Sequence, residues 1–180
     1  MNIDYYALGI SVGVIFAVLL FVILRLVQKR KNGGSDMKEY DERQIIARGE
    51  AYRNGFFAIA GYNIAFALLE LSGVVWCEPF VGLFFGLLIG AGVFAVTAIR
   101  KDAYLALNNN MRSWTSFGLI IIACNAIPGV ISILDYRITV DGRLSTSSLS
   151  LAVAVLWLVV LLTQIAHNRR NAKKMAEDEE

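Results

Sequence analysis

The sequence predicts an all-α fold, an integral membrane bundle of about five transmembrane helices, and two observations carry that prediction. Hydrophobic residues make up 57% of the chain and charged residues only 18%, whereas about a quarter of an average soluble domain is charged. The apolar residues also fall in long blocks instead of the periodic spacing of half-exposed helices or strands. A chain of 180 residues cannot enclose that much apolar surface in a water-soluble core, so the blocks are predicted to lie in a bilayer.

Each apolar block is close to the roughly 20 residues that a single helical crossing needs. The predicted spans are residues 5–27, 56–76, 80–99, 114–134 and 149–166, with a cytoplasmic linker and amphipathic helix at 28–55 and a cytoplasmic tail at 167–180. The first block lacks the positive leader and small-residue cleavage site of a secretory signal, so it is predicted to remain as an anchor. Glu78-Pro79 separates the second block from the third and predicts a tight outer hairpin. The whole chain is thus predicted to be one membrane domain.

The distribution of basic residues predicts the orientation, because cytoplasmic loops carry an excess of Lys and Arg. With five spans, all of the 17 basic residues except Arg137 and Arg143 fall on one side. The N-terminus is therefore predicted outside and the C-terminus in the cytoplasm, in a bacterial plasma membrane. Removing any one block from the count is expected to place basic clusters on both faces. Aromatic residues that mark the predicted headgroup belts are Tyr5, Tyr6, Trp76, Trp114 and Tyr136.

Residue types that carry chemistry are scarce. Cys77 and Cys124 lie far apart and predict neither a disulfide nor a Cys-x-x-Cys metal site. His167 is the single histidine, which leaves a zinc site almost without ligands. The sequence also has no glycine-rich phosphate loop and no catalytic dyad. It therefore predicts no metal, no cofactor, no enzyme and no nucleic-acid partner, and the lipid bilayer is the partner it does predict.

The linker before the second span is polar and predicts a helix at its end. Asn32-Gly33-Gly34-Ser35 forms a flexible link, and Asp36 with Glu39 three residues later matches a capping box. No proline interrupts the chain from there to the second span. The simplest interpretation is an interfacial helix whose basic side chains meet anionic headgroups.

A short motif in this helix resembles one found in a family. It reads Tyr-Asp-Glu-Arg-Gln at 40–44, followed by Ala-Arg-Gly at 47–49 and an aromatic-rich span. This resembles small uncharacterised Firmicutes membrane proteins that carry a domain of unknown function, mainly over residues 40–65. The resemblance implies no activity; such proteins are often encoded beside small helix-turn-helix regulators, which would imply signalling or a stress response. The motif residues are Asp41, Glu42, Arg43, Gln44, Arg48 and Gly49.

Polar residues inside the spans are candidates for a binding or ion site. Glu70 lies within the second span, where an ionised carboxylate is costly. It is either a proton or cation site, or a carboxyl that reaches outer water or is neutralised by a hydrogen bond. Asn63 and Asn125 are placed to hydrogen-bond between helices. Pro128 is expected to kink the fourth span close to Asn125.

Small residues recur on two helical faces. Gly82, Gly86 and Gly90 repeat every four residues in the third span, and Gly9 and Gly13 do the same in the first. Such faces let backbones approach closely. Two outcomes remain open: packing within one chain, or a homodimer through the third span.

The outer loop at 135–148 carries the signal of a β-hairpin. Alternating residues flank Asp141-Gly142, a dipeptide typical of tight hairpin turns. The hairpin is expected to cap the outer face of the bundle.

Three function classes remain at this point. The first is a regulatory, stress-response or immunity-type protein that binds a partner, peptide or lipid. The second is a small proton- or cation-coupled carrier that uses Glu70, although no inverted repeat is evident. The third, an intramembrane enzyme, is least favoured because Cys124 and Glu70 have no histidine at their depth.

Overall fold

The computed structural model describes residues 40–105 and 111–178, together with Ile23. In this part of the chain, 4 helices are long and apolar enough to cross a membrane, so the all-α prediction is confirmed for these elements. The helices are α1 Glu42–Leu71, α2 Pro79–Arg100, α3 Met111–Leu134 and α4 Ser148–Asp178, and a hairpin consists of β1 Thr139–Val140 and β2 Arg143–Leu144. Apart from Ile23, the predicted span at 5–27, with Gly9 and Gly13, lies outside the described residues, as does the predicted cap at Asp36 and Glu39.

Helix α1 joins the predicted amphipathic segment and the predicted second span in one helix of 30 residues. It begins after Asp41, whose side-chain Oδ1 accepts a hydrogen bond from the backbone N–H of Gln44 at 2.6 Å. This is the N-cap arrangement that satisfies an otherwise unpaired donor of the first turn. The resembling motif therefore contains the start of the helix.

The ends of α1, α2 and α3 share one capping geometry. The second residue past each end has a positive φ: Gly73 at 81°, Asp102 at 54° and Tyr136 at 54°. In each case the next residue donates its N–H to a carbonyl five positions back, as Val74 does to Leu69 at 3.0 Å. These are Schellman caps. They explain why α1 ends at Leu71, although the apolar sequence continues to Trp76.

The helices pack in the order α1, α2, α4, α3 across the bundle, since α1 contacts α2, α2 contacts α4 and α4 contacts α3. Consecutive helices run in opposite directions. One end, the hairpin end, holds residues 72–78 and 135–147. The other, the basic end, holds the start of α1, residues 101–105 and the C-terminal half of α4.

The predicted hairpin is present in the structure. Asp141 and Gly142 have φ values of 50° and 75°, which is the pattern of a type I′ turn. The hairpin also pairs with the loop after α1, because Leu144 donates to Trp76 O and accepts from Glu78 N, both at 2.9 Å. Cys77, between these partners, is 0% exposed. The hairpin thus covers the α1–α2 connection.

The small-residue face of α2 lies against α1. A Cβ atom on Gly90 would overlap Ile59 and stand 2.9 Å from the carbonyl oxygen of Gly55. Gly82 is opposite Phe66, and Gly86 is opposite Tyr62 and Asn63. The glycines therefore allow a close approach of α1 and α2, and a second copy would have to displace α1 to use the same face.

Candidate functional site

Gln44, in the resembling motif, links α1 to the loop after α2. Its Nε2 donates to the backbone oxygen of Asp102 at 2.7 Å, and the side chain is 8% exposed. In a capping box the third residue after the cap turns back to the cap N–H; here its amide reaches across to another element. The sequence motif therefore both caps the start of α1 and makes a tertiary contact.

Arg48 lies one turn after Gln44 and binds the same loop. Its guanidinium donates to the backbone oxygens of Ala103 at 3.0 Å and Tyr104 at 3.3 Å. It also lies over the ring of Tyr40, 4.4 Å from the centroid, at a distance typical of a cation–π contact. Both hydrogen bonds come from Nη1, and the planar guanidinium can make them while its face lies on the ring.

Asp102 connects the loop to α4. Its Oδ1 is 2.7 Å from His167 Nε2 and accepts from Asn171 Nδ2 at 3.2 Å. Asp102 adopts the left-handed conformation at the helix cap, one that Asp and Asn tolerate better than most residues. We call the group Gln44, Arg48, Asp102, His167 and Asn171 the loop clamp.

The remaining motif residues do not take part in the clamp. Glu42 lies in the first turn of α1, where the helix dipole stabilises a carboxylate. Arg43 is exposed, and a Cβ at Gly49 would meet nothing within 4 Å. Lys101 pairs with Glu50, but both side chains are well exposed, and such surface pairs contribute little.

Sequence reasoning missed the link between Asp102 and His167. The four-residue spacing of Gln44 and Arg48 was the available signal that both side chains face one target.

The structure does not bring the predicted polar residues of the spans together. Glu70 is one residue before the end of α1, at the hairpin end. Asn63 lies against Gly86, and its buried Oδ1 has no hydrogen-bond partner among the described residues. Asn125 donates to Ile121 O of its own helix at 2.9 Å. Because α1 and α3 are at opposite edges of the bundle, Asn125 is remote from Glu70.

An apolar concavity lies between α2 and α4. Its volume is about 680 Å³. Side chains of both helices line it, and Ile138 and Leu144 of the hairpin close one end. Ser148 and Thr97 are its hydroxyl-bearing lining residues. We call this the apolar groove.

A second concavity, of about 880 Å³, lies at the basic end. We call it the basic groove. Its charged lining comes from the end of α2 and the C-terminal part of α4, namely Arg100, Arg169, Arg170 and Lys173, with His167 beside them. In the described part of the chain, no three His, Cys, Asp or Glu side chains are grouped as metal ligands.

The fold defines a helical chain with 4 helices able to cross a membrane, compatible with residence in a lipid bilayer. Comparisons with family models, curated proteins and solved structures find no match for this chain. The resemblance carried by the residues at 40–49 therefore stays a prediction.

Proposed function

We propose that this is a multi-pass protein of the bacterial plasma membrane that acts by binding an apolar partner, in a regulatory, stress-response or immunity role. The apolar groove between α2 and α4 is the observation that carries the proposal. Its volume of about 680 Å³ falls within the range of ligand sites, about 300–1,000 Å³. The loop clamp joins α4 to the loop after α2 through Asp102, and so connects the two helices that line the groove.

The concave shape of the apolar groove supports binding more strongly than its apolar lining does. Any helix face in a bilayer is apolar, and lipid tails solvate it as well as a protein would. Selective association inside the membrane therefore depends on shape and van der Waals packing. A groove closed at one end by Ile138 and Leu144 offers such a shape.

The proposal places the basic end in the cytoplasm. Arg137 and Arg143 lie at the hairpin end, whereas the basic residues near the start of α1, between α2 and α3 and in the C-terminal part of α4 lie at the other. Such asymmetry is the usual mark of the cytoplasmic side. The hairpin then faces outward.

Groove-filling substitution tests the binding function. The full chain is extracted with its native lipid, and co-eluting peptides and lipids are identified by mass spectrometry. Ala152→Trp fills the apolar groove and is expected to lose the retained species at least tenfold. Ile127→Trp, on α3 at a side chain 62% exposed, is the control and should retain them. Equal retention in the two variants would overturn the proposal.

A carrier that uses Glu70 is the second candidate. Two buried polar atoms on the same helix, Tyr62 Oη and Asn63 Oδ1, have no partner among the described residues, and their spacing places them on the face of Glu70. Reconstituted protein would then dissipate a pH gradient, and Glu70→Gln would stop it. A gradient that persists with the wild-type chain would exclude this function.

A homodimer through the glycine face of α2 is the alternative to packing of that face within one chain. Gly82, Gly86 and Gly90 already pack against α1, so we infer that this face serves packing within one chain. Crosslinking in native lipid should give a monomer at every protein level. A crosslinked dimer lost on Gly86→Leu but kept on Gly61→Leu would reverse the inference.

A further inference from the structure

The apolar groove and the basic groove follow one face of α4. Ser148, Ala152, Val155 and Val159 line the first, and Leu162, Ala166, Arg170 and Lys173 line the second. Successive members are three or four residues apart, which puts them on one side of a helix. On α2, Val96 of the apolar groove is one turn from Arg100 of the basic groove. The two concavities therefore lie end to end along α2 and α4, and we call this succession, apolar first and cationic at its end, the α2–α4 path.

The positive charge at the end of this path is uncompensated. Arg100, Arg169, Arg170 and Lys173 are in no ion pair within the described residues, and the basic groove has no acidic lining residue. The carboxylate of Asp102, which lies against His167 of this lining, is engaged by His167 and Asn171. Clustered guanidinium and ammonium groups form strong charge-assisted hydrogen bonds with phosphate oxygens.

The dimensions fit one phospholipid of the adjacent leaflet. A single acyl chain spans half of the hydrocarbon thickness, about 15 Å, which is about ten residues of helix. Counting back from Ala166, the last lining residue of α4 before the charged ones, that length passes the apolar lining of the basic groove and reaches Leu156, at the adjoining end of the apolar groove. Apolar lining thus covers the depth of the chain, and basic lining the depth of the headgroup.

We propose that the α2–α4 path is a binding site for an anionic phospholipid, with the phosphate at the charged residues of the basic groove and an acyl chain that runs along α4 into the adjoining end of the apolar groove. The inference rests on the proposed binding function and names its ligand class. Basic pockets between transmembrane helices at a cytoplasmic surface bind anionic headgroups in this way. A free phosphate compound would use the basic groove but not the apolar one.

Lipid competition tests the proposal on the full chain. The protein is reconstituted in vesicles of equal parts phosphatidylglycerol and phosphatidylcholine, extracted in mild detergent, and analysed for retained lipid by native mass spectrometry. Phosphatidylglycerol should be enriched over phosphatidylcholine. Arg169→Gln with Arg170→Gln should reduce its retention about thirtyfold, since each basic residue contributes about fivefold. Arg43→Gln with Arg53→Gln removes the same charge from the same end outside the groove and should leave retention unchanged.

The outcomes separate this proposal from the function on which it rests. Equal retention of both lipids, equal loss in the control, or displacement of the lipid by millimolar inorganic phosphate would overturn the phospholipid site. If the arginine variants retain their ligand while Ala152→Trp loses it, the binding function stands and the headgroup site is wrong. If neither change affects any retained species, both proposals fail.

Discussion

Among the side chains of the loop clamp, Arg48 makes the contacts that depend most on the shape of its own group, the planar guanidinium. It donates to Ala103 O and Tyr104 O and lies over Tyr40. A lysine ammonium has no planar group, so it cannot donate to these oxygens and at the same time lie flat over the ring. We expect Arg48→Lys to lower the free energy of unfolding by about 1–2 kcal/mol and to speed tryptic cleavage after Lys101. Arg43→Lys, at an exposed position of the same helix, is the control; equal cleavage of the two variants would contradict the clamp.

Asp41 is the N-cap of α1, and its contribution can be isolated by two substitutions. Asp41→Ala removes the acceptor for Gln44 N and should cost about 1 kcal/mol. Asp41→Asn keeps a capping oxygen and should stay within a few tenths of wild type. Thermal unfolding of the purified chain in one detergent measures both. A result in which Asn is as harmful as Ala would show that the charge, not the cap, matters.

The sequence located this region but not its role. The motif at residues 40–49 contains Asp41, which caps α1 in the structure, whereas the cap predicted at Asp36 and Glu39 lies outside the described residues. Capping is local, so Asp41 with Gln44 three residues later is a readable pattern, but Asp36 with Glu39 has the same spacing and the sequence alone does not choose between them. The contacts of Gln44 and Arg48 with residues 102–104 are non-local, and nothing in either segment alone encodes them.

At the scale of the element, α1 and α2 depend on glycine at their closest approach. A Cβ at Gly90 would meet the backbone oxygen of Gly55 at 2.9 Å, and backbone cannot rotate away as a side chain can. We expect Gly90→Ala to destabilise the fold by about 1–3 kcal/mol. Gly61→Ala, where a Cβ meets nothing within 4 Å, should be neutral or stabilising because Ala favours the helix. Thermal unfolding of both variants checks this; equal effects would show that the approach is looser.

Hydropathy does not predict the residue at which a helix ends. Val74, Val75 and Trp76 are apolar, so the second span was expected to reach 76, but the Schellman cap at Gly73 ends α1 at Leu71. This moves Glu70 from within the span to its last turn. The hairpin turn was predictable because Asp141-Gly142 is a local signal. Its pairing with Trp76 and Glu78 was not, because it joins distant segments.

At the scale of the whole molecule, the four described helices by themselves show the segregation of basic residues to one end of the bundle. Arg137 and Arg143 are at the hairpin end, and the other described basic residues are at or near the basic end. Removing the block at 5–27 therefore leaves the charges of the remaining helices on the same sides. The expectation that losing any one block would mix them is wrong for the first block. Charge supports the orientation of α1 to α4, and the first crossing needs its own test.

Cysteine labelling of whole cells tests orientation and the first crossing together. Native Cys77 is 0% exposed, and burial, with the Glu70 and Glu78 carboxylates nearby, raises the pKa of its thiol. Because the thiolate is the reactive form, it should label slowly and more readily only as the pH rises. It is therefore a poor reporter, and both native cysteines are best replaced by Ala.

In that background, Tyr136→Cys, at a side chain 88% exposed, should react with an impermeant maleimide on intact cells, and Met175→Cys, 70% exposed, only after permeabilisation. The reverse pattern would invert the bundle. Asn2→Cys then decides the number of crossings. Labelling on intact cells means that the block at 5–27 spans the bilayer, because the start of α1 lies at the same end as Met175. Labelling only after permeabilisation would leave four crossings, with the first block on the cytoplasmic side.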